Sequence, residues 1–326
     1  MQGLSELLAG GQIPGGRDYQ EDAFQITRFR QADSEGLLLV LADGMGGHIG
    51  GARASELAVA TFVARFERAD GEPGERLRES LEAANAAIGE DAASDPRYAE
   101  MGCTLLACLV SGDRLHWVSV GDSPLWRLGA DGMTRLNADH SMRPVLEDLV
   151  ELGRMTPEEL EADPRVNQLR SALIGEDLPM VDQNEQPLAL AADDRIILAS
   201  DGLESLSVQE IGELVQGHAA PADAVAALLD AIEALGRPGQ DNTTVVVYRH
   251  TESGSVGRCV EQMEATTEKR SPATTASQAP AVDAGEPDKH EEQESAAPQD
   301  QPVEGESVSA AAHKKGLFSR LFGRKS

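Results

Sequence analysis

The sequence predicts an α+β fold in which β-sheets are covered by helices on their outer faces. Two long helical segments come early in the chain, two come late, and strand-like segments lie between them. The strand-like segments are short runs of apolar residues, which are typical of buried strands. With 326 residues, of which 40% are hydrophobic, the chain can form one large domain or two small ones around a core.

The predicted elements end near Arg249. Helical spacing of apolar residues and a high content of Ala, Glu and Leu indicate the early helices. Ser207 and Pro221 are residue types that begin helices, and they mark the late ones. The predicted strands are 23–27, 37–42, 104–110, 115–120, 125–128, 195–199 and 244–248, and the predicted helices are 52–67, 75–93, 207–216 and 221–235.

Four aspartates stand at the ends of predicted strands. Asp43, Asp122 and Asp201 each follow an apolar run, and Asp241 precedes one. Carboxylates gathered at one sheet edge repel each other, by roughly 1 kcal/mol per close pair in water and roughly 4 kcal/mol at an effective dielectric constant of 20. A hard divalent cation removes this repulsion, and all-oxygen ligands suit Mg²⁺ or Mn²⁺. The pattern therefore predicts a divalent metal site.

A simpler interpretation of an Asp-Gly pair is a hairpin turn. Asp131-Gly132 lies between two strand-like runs and is predicted to be only such a turn. Taken singly, the Asp43-Gly44 and Asp201-Gly202 pairs would be interpreted in the same way. The joint pattern of motifs favours a site.

That joint pattern resembles the PP2C (PPM) family of metal-dependent protein serine/threonine phosphatases. The resemblance covers about residues 15–249, and its short motifs occur in the order found in the family. They are Arg17-Asp18-Tyr19-Gln20-Glu21-Asp22, Leu41-Ala42-Asp43-Gly44-Met45-Gly46-Gly47-His48-Ile49-Gly50-Gly51, Gly102-Cys103-Thr104, Gly121-Asp122-Ser123, Asp139-His140-Ser141, Ala172-Leu173-Ile174-Gly175, Ser200-Asp201-Gly202-Leu203 and Asp241-Asn242-Thr243-Thr244.

The resemblance implies an αββα sandwich, in which two antiparallel sheets pack face to face with a helical layer outside each. It also implies a site with two Mn²⁺ or Mg²⁺ ions and a third, weaker one in some relatives. Asp43 would bridge two ions, and the Gly44 carbonyl would complete one coordination shell. Asp201 and Asp241 would bind the other ion.

The remaining site residues implied by the resemblance act around these ions. Glu21 and Asp22 would act through water or from the second coordination shell. Asp122 would hold the third ion with Asp201, although it could instead hydrogen-bond a turn at its strand end. Arg17 matches the family's phosphate-binding arginine, since a guanidinium fork fits two phosphate oxygens.

Three positions depart from the family pattern. Gln20 replaces the usual Asn, a change that lengthens the amide and is expected to shift contacts around the metal ligands. Ser205 replaces an Asp that helps many relatives to hold the third ion. Met45 replaces a His that is a candidate general acid in eukaryotic relatives. Because Met cannot donate a proton, the leaving oxygen must be protonated by water or by another group.

The resemblance implies a bacterial phosphatase that hydrolyses phosphoserine and phosphothreonine in proteins and opposes a Ser/Thr kinase. Two alternatives stay open. One is a non-catalytic relative that binds phosphoproteins, although such relatives usually lack one of the metal carboxylates. The other is a phosphatase of an anti-sigma-factor antagonist, for which an added sensor domain would be expected.

Charge and composition limit the kinds of partner and the cellular compartment that can be expected for this chain. The formal net charge of −28 makes nucleic acid a poor partner. The first residues have no basic region followed by a long apolar run, and no segment approaches the roughly 20 apolar residues of a membrane span. Cys103 and Cys108 are expected to be buried thiols without a disulfide. We therefore expect a cytoplasmic protein. The resemblance implies phosphoprotein partners, and a monomer is expected.

The predicted domain is 1–250, and within it residues 141–171 break the alternation of strands and helices. By resemblance this segment is a flap beside the active site, and the alternative is an ordinary two-helix connection. Thr156 before Pro157 is predicted to cap a helix there. Residues 251–312 are rich in Gly, Ser, Ala, Pro, Glu and Gln and predict a disordered linker.

Residues 313–326 form a basic segment in an otherwise acidic chain. Its apolar residues fall on one face of a helix, and Lys and Arg residues flank them. The pattern predicts weak docking either to a membrane surface, at the inner face of the membrane, or to a protein partner. A disordered tail with incidental basic residues is the third interpretation.

Overall fold

The computed structural model describes residues 2–31, 34–47 and 49–251. The strands within this part of the chain are β1 Gln2–Ser5, β2 Leu8–Ile13, β3 Ala23–Gln31, β4 Ser34–Ala42, β5 Gly44–Met45, β6 Gly102–Cys103, β7 Leu105–Ser111, β8 Arg114–Val120, β9 Leu125–Gly129, β10 Gly132–Arg135, β11 Asp182–Gln183, β12 Leu188–Ala189, β13 Arg195–Ala199 and β14 Thr243–Arg249. The α-helices are α1 Ile49–Arg68, α2 Pro73–Ser94, α3 Arg143–Glu151, α4 Pro157–Glu161, α5 Val208–Gly217 and α6 Pro221–Ala234. Two short 3₁₀ helices span Pro96–Tyr98 and Asp201–Ser205.

Two antiparallel sheets form the centre of the fold. The first has the strand order β1-β2-β14-β13-β9-β10, and the second has the order β11-β8-β7-β4-β3, with β12 also pairing with β8. Helices α1 and α2 pack on the second sheet, and α5 and α6 pack on the first. The predicted sandwich of two antiparallel sheets between helical layers is therefore confirmed.

Strand β4 shows why the strand sequences are apolar throughout. Successive side chains of a strand point to opposite faces of its sheet. Leu37, Leu39 and Leu41 lie in the core between the two sheets. Leu38 and Val40 lie in the core between the second sheet and α1 and α2. Because both faces are covered, every residue of the run is buried.

The helix boundaries follow local capping. Ser207 caps α5 by accepting a hydrogen bond from the Glu210 amide at 3.2 Å, as its position predicts. Pro221 is the first residue of α6. The early helices begin two or three residues before the predicted starts, and Glu72 and Glu75 form a capping box at α2.

The structure adds strands that the sequence analysis did not predict. The hairpin β1–β2 extends the first sheet, and β2 pairs with β14. Strand β10 completes a hairpin with β9, and Asp131 lies in its turn, as predicted.

The segment that follows Ser141 contains α3 and α4. Thr156 caps α4, accepting from the Glu159 amide at 3.2 Å, while the Glu159 carboxylate accepts from the Thr156 amide at 2.8 Å. The predicted helix start is thus present, and the flap role stays a prediction.

Cys103 and Cys108 are both buried free thiols, as expected. None of the helices described is long and apolar enough to cross a membrane. The predicted linker 251–312 and basic segment 313–326 lie outside the described residues, apart from Thr251.

Candidate active site

The ends of strands from both sheets meet at one edge of the sandwich. Asp43 and Asp122 follow β4 and β8 of the second sheet. Asp201 follows β13 and Asp241 lies two residues before β14, and these two strands are antiparallel neighbours in the first sheet. The site is therefore assembled from both sheets.

One side of the site is organised by Asn242. Its side-chain oxygen accepts a hydrogen bond from the Glu21 amide at 2.8 Å, and its nitrogen donates to the carbonyls of Pro14 and Tyr19, each at 2.9 Å. The Arg17 guanidinium donates to the Asp241 carboxylate at 2.8 Å. A single buried amide thus holds the 14–21 segment against the start of β14 and places Arg17 beside Asp241.

Asp43 and Gly44 connect this side to the second sheet. The Gly44 amide donates to the Glu21 carbonyl at 3.1 Å, and the Asp43 amide donates to Thr104 Oγ1 at 3.0 Å. Thr104 in turn hydrogen-bonds Ser123 at 2.7 Å, next to Asp122. A side chain at position 44 would overlap the carbonyl oxygens of Gly51 and Glu21, so only glycine fits there.

Asp22 is buried among other carboxylates. Its Oδ2 accepts hydrogen bonds from Ser200 at 2.8 Å and Thr244 at 2.7 Å. Burial raises the pKa of Asp22 to about 7; these two hydrogen bonds oppose the shift, and the charges of Asp201 and Asp241 add to it. Its Oδ1 is buried and has no hydrogen-bond partner among the described residues. A cation would stabilise the ionised form of this carboxylate.

Asp122 lies on the opposite side of the site. It is 8% exposed, and burial raises its pKa well above the usual range, with further contributions from Asp201, Asp139 and Glu204. The structure therefore brings Asp122 and Asp201 into electrostatic contact, as the third-ion prediction requires. The ion itself stays a prediction.

Arg135 and Glu204, which no motif in the sequence marks, adjoin Asp122. Arg135 donates to the Asp122 carbonyl at 2.6 Å and pairs with Glu204 at 3.2 Å and Asp139 at 3.5 Å. Partial burial raises the pKa of Glu204 above its usual range, and the positive charge of Arg135 opposes this shift without cancelling it. Neither residue lies in a position that the resemblance marks. Glu204 directly precedes Ser205, which stands where many relatives have a metal-holding Asp. A charged residue beside that position was the signal from which Glu204 could have been predicted.

The motif that includes Asp139 joins the site to the following segment. The Asp139 carboxylate accepts from the Ser141 amide at 2.7 Å, and His140 Nδ1 accepts from the Gly121 amide at 3.2 Å. Burial lowers the pKa of His140. His140 is thus held as a neutral structural group next to the turn that carries Asp122.

The structure shows the surroundings of Gln20 and Met45, two of the three residues that depart from the family pattern. The polar atoms of the Gln20 amide are buried and have no hydrogen-bond partner among the described residues, which agrees with a displaced contact for the longer side chain. Met45 is half-buried in β5, which pairs with β6. His48 lies outside the described residues.

The donors present fit a hard divalent cation. They are carboxylate and carbonyl oxygens, and one buried carboxylate oxygen of Asp22 has no hydrogen-bond partner among the described residues. Across residues 2–31, 34–47 and 49–251, no three His, Cys, Asp or Glu side chains form a ready-made metal-binding group. Mg²⁺ and Mn²⁺ sites use few direct protein ligands and retain several waters, so this sparse arrangement is expected.

The fold and the site define a member of the protein phosphatase 2C family. The model of that family matches residues 17–240. The chain therefore belongs to it.

Named relatives agree with this assignment. The chain is 38% identical over 216 residues to the serine/threonine protein phosphatase PstP of Mycobacterium tuberculosis, a match that covers 64% of this chain and 40% of that protein. It is 30% identical over 220 residues to the protein phosphatase PhpP of Streptococcus pneumoniae, covering 66% of this chain and 86% of that protein. The chain thus spans less than half the length of the first of these relatives.

Solved structures show the same fold. A crystal structure of the M. tuberculosis phosphatase PstP superimposes with a TM-score of 0.63 at 32% identity, covering 75% of this chain and 98% of that one. The catalytic domain of a PstP in complex with two manganese ions gives a TM-score of 0.60 at 31% identity, covering 74% and 97%.

Proposed function

We propose that this protein hydrolyses phosphoserine and phosphothreonine in proteins in a reaction that depends on Mn²⁺ or Mg²⁺, and that it opposes a bacterial Ser/Thr kinase. The observation that carries the proposal is the convergence of the Arg17 guanidinium with Asp22, Asp43, Asp201 and Asp241 at the edge of two sheets. The names of the relatives, which are serine/threonine phosphatases, and the two manganese ions of the PstP catalytic domain support it.

The carboxylates would hold the cations. In this proposal Asp43 and the Gly44 carbonyl serve one ion, Asp43, Asp201 and Asp241 serve the other, and Glu21 and Asp22 act through water. When bound, the cations would neutralise charge on the phosphate and lower the pKa of a coordinated water. Asp122 and Asp201 are the proposed ligands of a third ion.

The protein's own groups position the ester and the carboxylates. The Arg17 side chain is 40% exposed, so its fork can bind two phosphate oxygens while Asp241 orients it. Thr104 holds the backbone on both sides of Asp43, accepting from its amide and donating to its carbonyl at 2.8 Å. Met45 cannot protonate the leaving oxygen, so water or another group must do so.

The non-catalytic alternative is disfavoured because Asp43, Asp201 and Asp241, the carboxylates that the resemblance assigns to the two principal ions, are all present. The second alternative, a phosphatase of an anti-sigma-factor antagonist, uses the same site on a different phosphoprotein. Substrate profiling separates it from the main proposal.

Hydrolysis of p-nitrophenyl phosphate and of a phosphothreonine peptide tests the proposal. Both reactions should require Mn²⁺ or Mg²⁺ and stop in excess EDTA. In the Arg17→Ala variant, KM should rise more than kcat falls, because the lost contact is made mainly to the phosphate group. Full activity in EDTA, or unchanged kinetics in the variant, would contradict the assigned roles.

We also propose that residues 313–326, which lie outside the described residues, dock reversibly on an anionic membrane surface. Each cation near such a surface contributes about 1 kcal/mol, so binding should weaken with salt. The full chain should sediment with anionic vesicles at low salt, whereas a chain that ends at His250 should stay in solution and keep its phosphatase activity. Salt-insensitive pull-down of one protein, with no vesicle binding, would favour the alternative of a protein partner.

A further inference from the structure

A groove with exposed apolar walls lies next to the candidate active site. It has a volume of about 330 Å³ and is lined by Tyr19, Gln20, Ile49, Ala52, Arg53, Glu56 and Tyr98. Ile49 is 68% exposed and Tyr19 is 54% exposed, and both are among the few large apolar side chains of the described residues that face solvent. Two exposed apolar side chains that line one groove offer an apolar surface to a ligand side chain.

Three separate elements build the groove. Ile49, Ala52, Arg53 and Glu56 have the spacing i, i+3, i+4 and i+7, so they form one face of the first turns of α1. The opposite face of α1 is buried against the second sheet, so this wall is rigid. The loop that carries Tyr19 and the 3₁₀ helix that ends at Tyr98 supply the other walls.

The charged residues at the rim are held in place. Arg53 makes two hydrogen bonds to the Asp91 carboxylate, at 3.0 and 2.9 Å, and its side chain is 46% exposed. The Arg97 guanidinium lies 5.5 Å from the centre of the Tyr98 ring. Charged groups at the rim are therefore held by partners within the chain, and the side chains of Tyr19 and Ile49 are exposed to solvent.

The groove borders the segment that carries the proposed phosphate-binding residue Arg17. Tyr19 is two residues from Arg17 and two from Glu21, so its Cα lies within about 7 Å of each. An extended peptide rises about 3.3 Å per residue. A phosphorylated residue held by Arg17 would thus place the side chain two or three residues away over Tyr19 and Ile49.

We propose that this groove selects phosphoprotein substrates that carry an apolar residue two or three positions from the phosphorylated serine or threonine. The inference rests on the proposed function, and it adds the substrate class that this site prefers. Burial of a leucine side chain in the groove should raise kcat/KM about tenfold over a polar residue.

A peptide scan tests the groove. The substrates are phosphothreonine peptides of equal length with a Gly/Ser background and a single Leu at each position from four before to four after the phosphothreonine. In the wild-type protein, Leu two or three positions away on one side should give the highest kcat/KM. A flat profile would overturn the proposal.

Variants of exposed residues locate the effect. Ile49→Ser should remove the preference for leucine. It should also lower kcat/KM for the peptide about tenfold more than kcat/KM for p-nitrophenyl phosphate, whereas Ile49→Leu should keep the wild-type preference. Val208→Ser is the matched control, because Val208 is also β-branched, is 50% exposed and is also the first residue of a helix, on the other side of the sandwich. It should keep the wild-type profile.

These experiments distinguish failure of the proposed function from failure of the groove proposal. Loss of Mn²⁺-dependent hydrolysis of every substrate in the wild-type protein would refute the proposed function. Normal hydrolysis with a leucine preference that survives Ile49→Ser would refute the groove alone. A wild-type dimer in light scattering that Ile49→Ser converts to a monomer would assign the groove to self-association and would also refute it.

Discussion

The Asp43-Gly44 and Asp131-Gly132 pairs have the same two residues and opposite surroundings. Gly132 has φ of +102°, and nothing lies within 4 Å of the place where a side chain would start. Asp131 is 68% exposed and pairs with Arg127 at 3.3 Å. Gly44 is enclosed by the carbonyls of Gly51 and Glu21, and Asp43 is flanked by Thr104. The dipeptide alone specifies a bend, and tertiary neighbours decide whether the bend becomes a site.

The largest contrast is expected in catalysis. Asp43→Asn should lower kcat/KM about a thousandfold, equivalent to about 4 kcal/mol, because loss of a partner outside the ligand shell already costs 10–100-fold. Asp131→Asn should leave activity at the wild-type level. Mn²⁺-dependent hydrolysis of p-nitrophenyl phosphate measures both. Equal activity of the two variants would break the distinction between site and turn.

The next contrast is in stability. Gly44→Ala should destabilise the fold by about 3 kcal/mol, because the new methyl group overlaps two backbone carbonyls that cannot move independently. Gly132→Ala should cost about 1 kcal/mol, which is the strain of an L-residue at positive φ in open space. Urea unfolding of both variants gives the difference. A larger loss in Gly132→Ala would contradict the crowded environment assigned to Gly44.

The two regions also differ in the groups that surround a buried carboxylate. Near the hairpin, Asp194 is 2% exposed and accepts from Arg127 at 2.8 Å. Asp22 instead accepts hydrogen bonds from the hydroxyl groups of Ser200 and Thr244, and its pKa is raised from 3.8 to about 7, chiefly by burial. An acid whose folded pKa lies above its unfolded pKa loses stability as pH rises between the two values, and the loss is complete above the folded pKa.

Metal-free protein should therefore become less stable by about 2 kcal/mol between pH 5 and pH 7. Asp22→Asn should remove this slope, and Mn²⁺ should reduce it, because a cation favours the ionised carboxylate. Unfolding in EDTA at several pH values tests the expectation. Asp194→Asn is the contrasting variant: it leaves the guanidinium of Arg127 without its buried partner and should destabilise the fold at pH 7. A pH slope that persists in Asp22→Asn would assign it to other groups.

The smallest effect on catalysis is expected from Arg135, the last residue of β10. Arg135→Met should lower kcat about fivefold to tenfold with little change in KM, because it releases the Asp122 carbonyl from a charged hydrogen bond, a contact worth about 1.5–3 kcal/mol. Arg135→Lys should recover part of the loss, and the Mn²⁺ concentration needed for half-maximal activity should rise in the Met variant. An unchanged Mn²⁺ requirement would limit Arg135 to a structural role.

Local sequence signals predicted most of the framework. The apolar run at 37–42 and the Ser207 cap depend on residues that are neighbours in the chain, so β4 and α5 were predicted close to their observed positions. The β1–β2 hairpin escaped prediction because β2 contains two glycines and lacks an apolar run, and it forms a strand through its pairing with β14. Its stability comes from partners that are distant in sequence.

Apolar periodicity, which is a local property, predicted the α+β class and the buried strands, and the family resemblance carried by short motifs supplied the candidate residues Arg17, Glu21, Asp22, Asp43, Gly44, Asp122, Asp201 and Asp241. The contacts of Asn242 with the segment that carries Arg17, and of Arg135 with Asp122 and Glu204, became visible only in the folded chain. These contacts connect residues that are separated along the chain, and their strength depends on burial and on neighbouring charges. Those two quantities exist only once the two sheets have packed together.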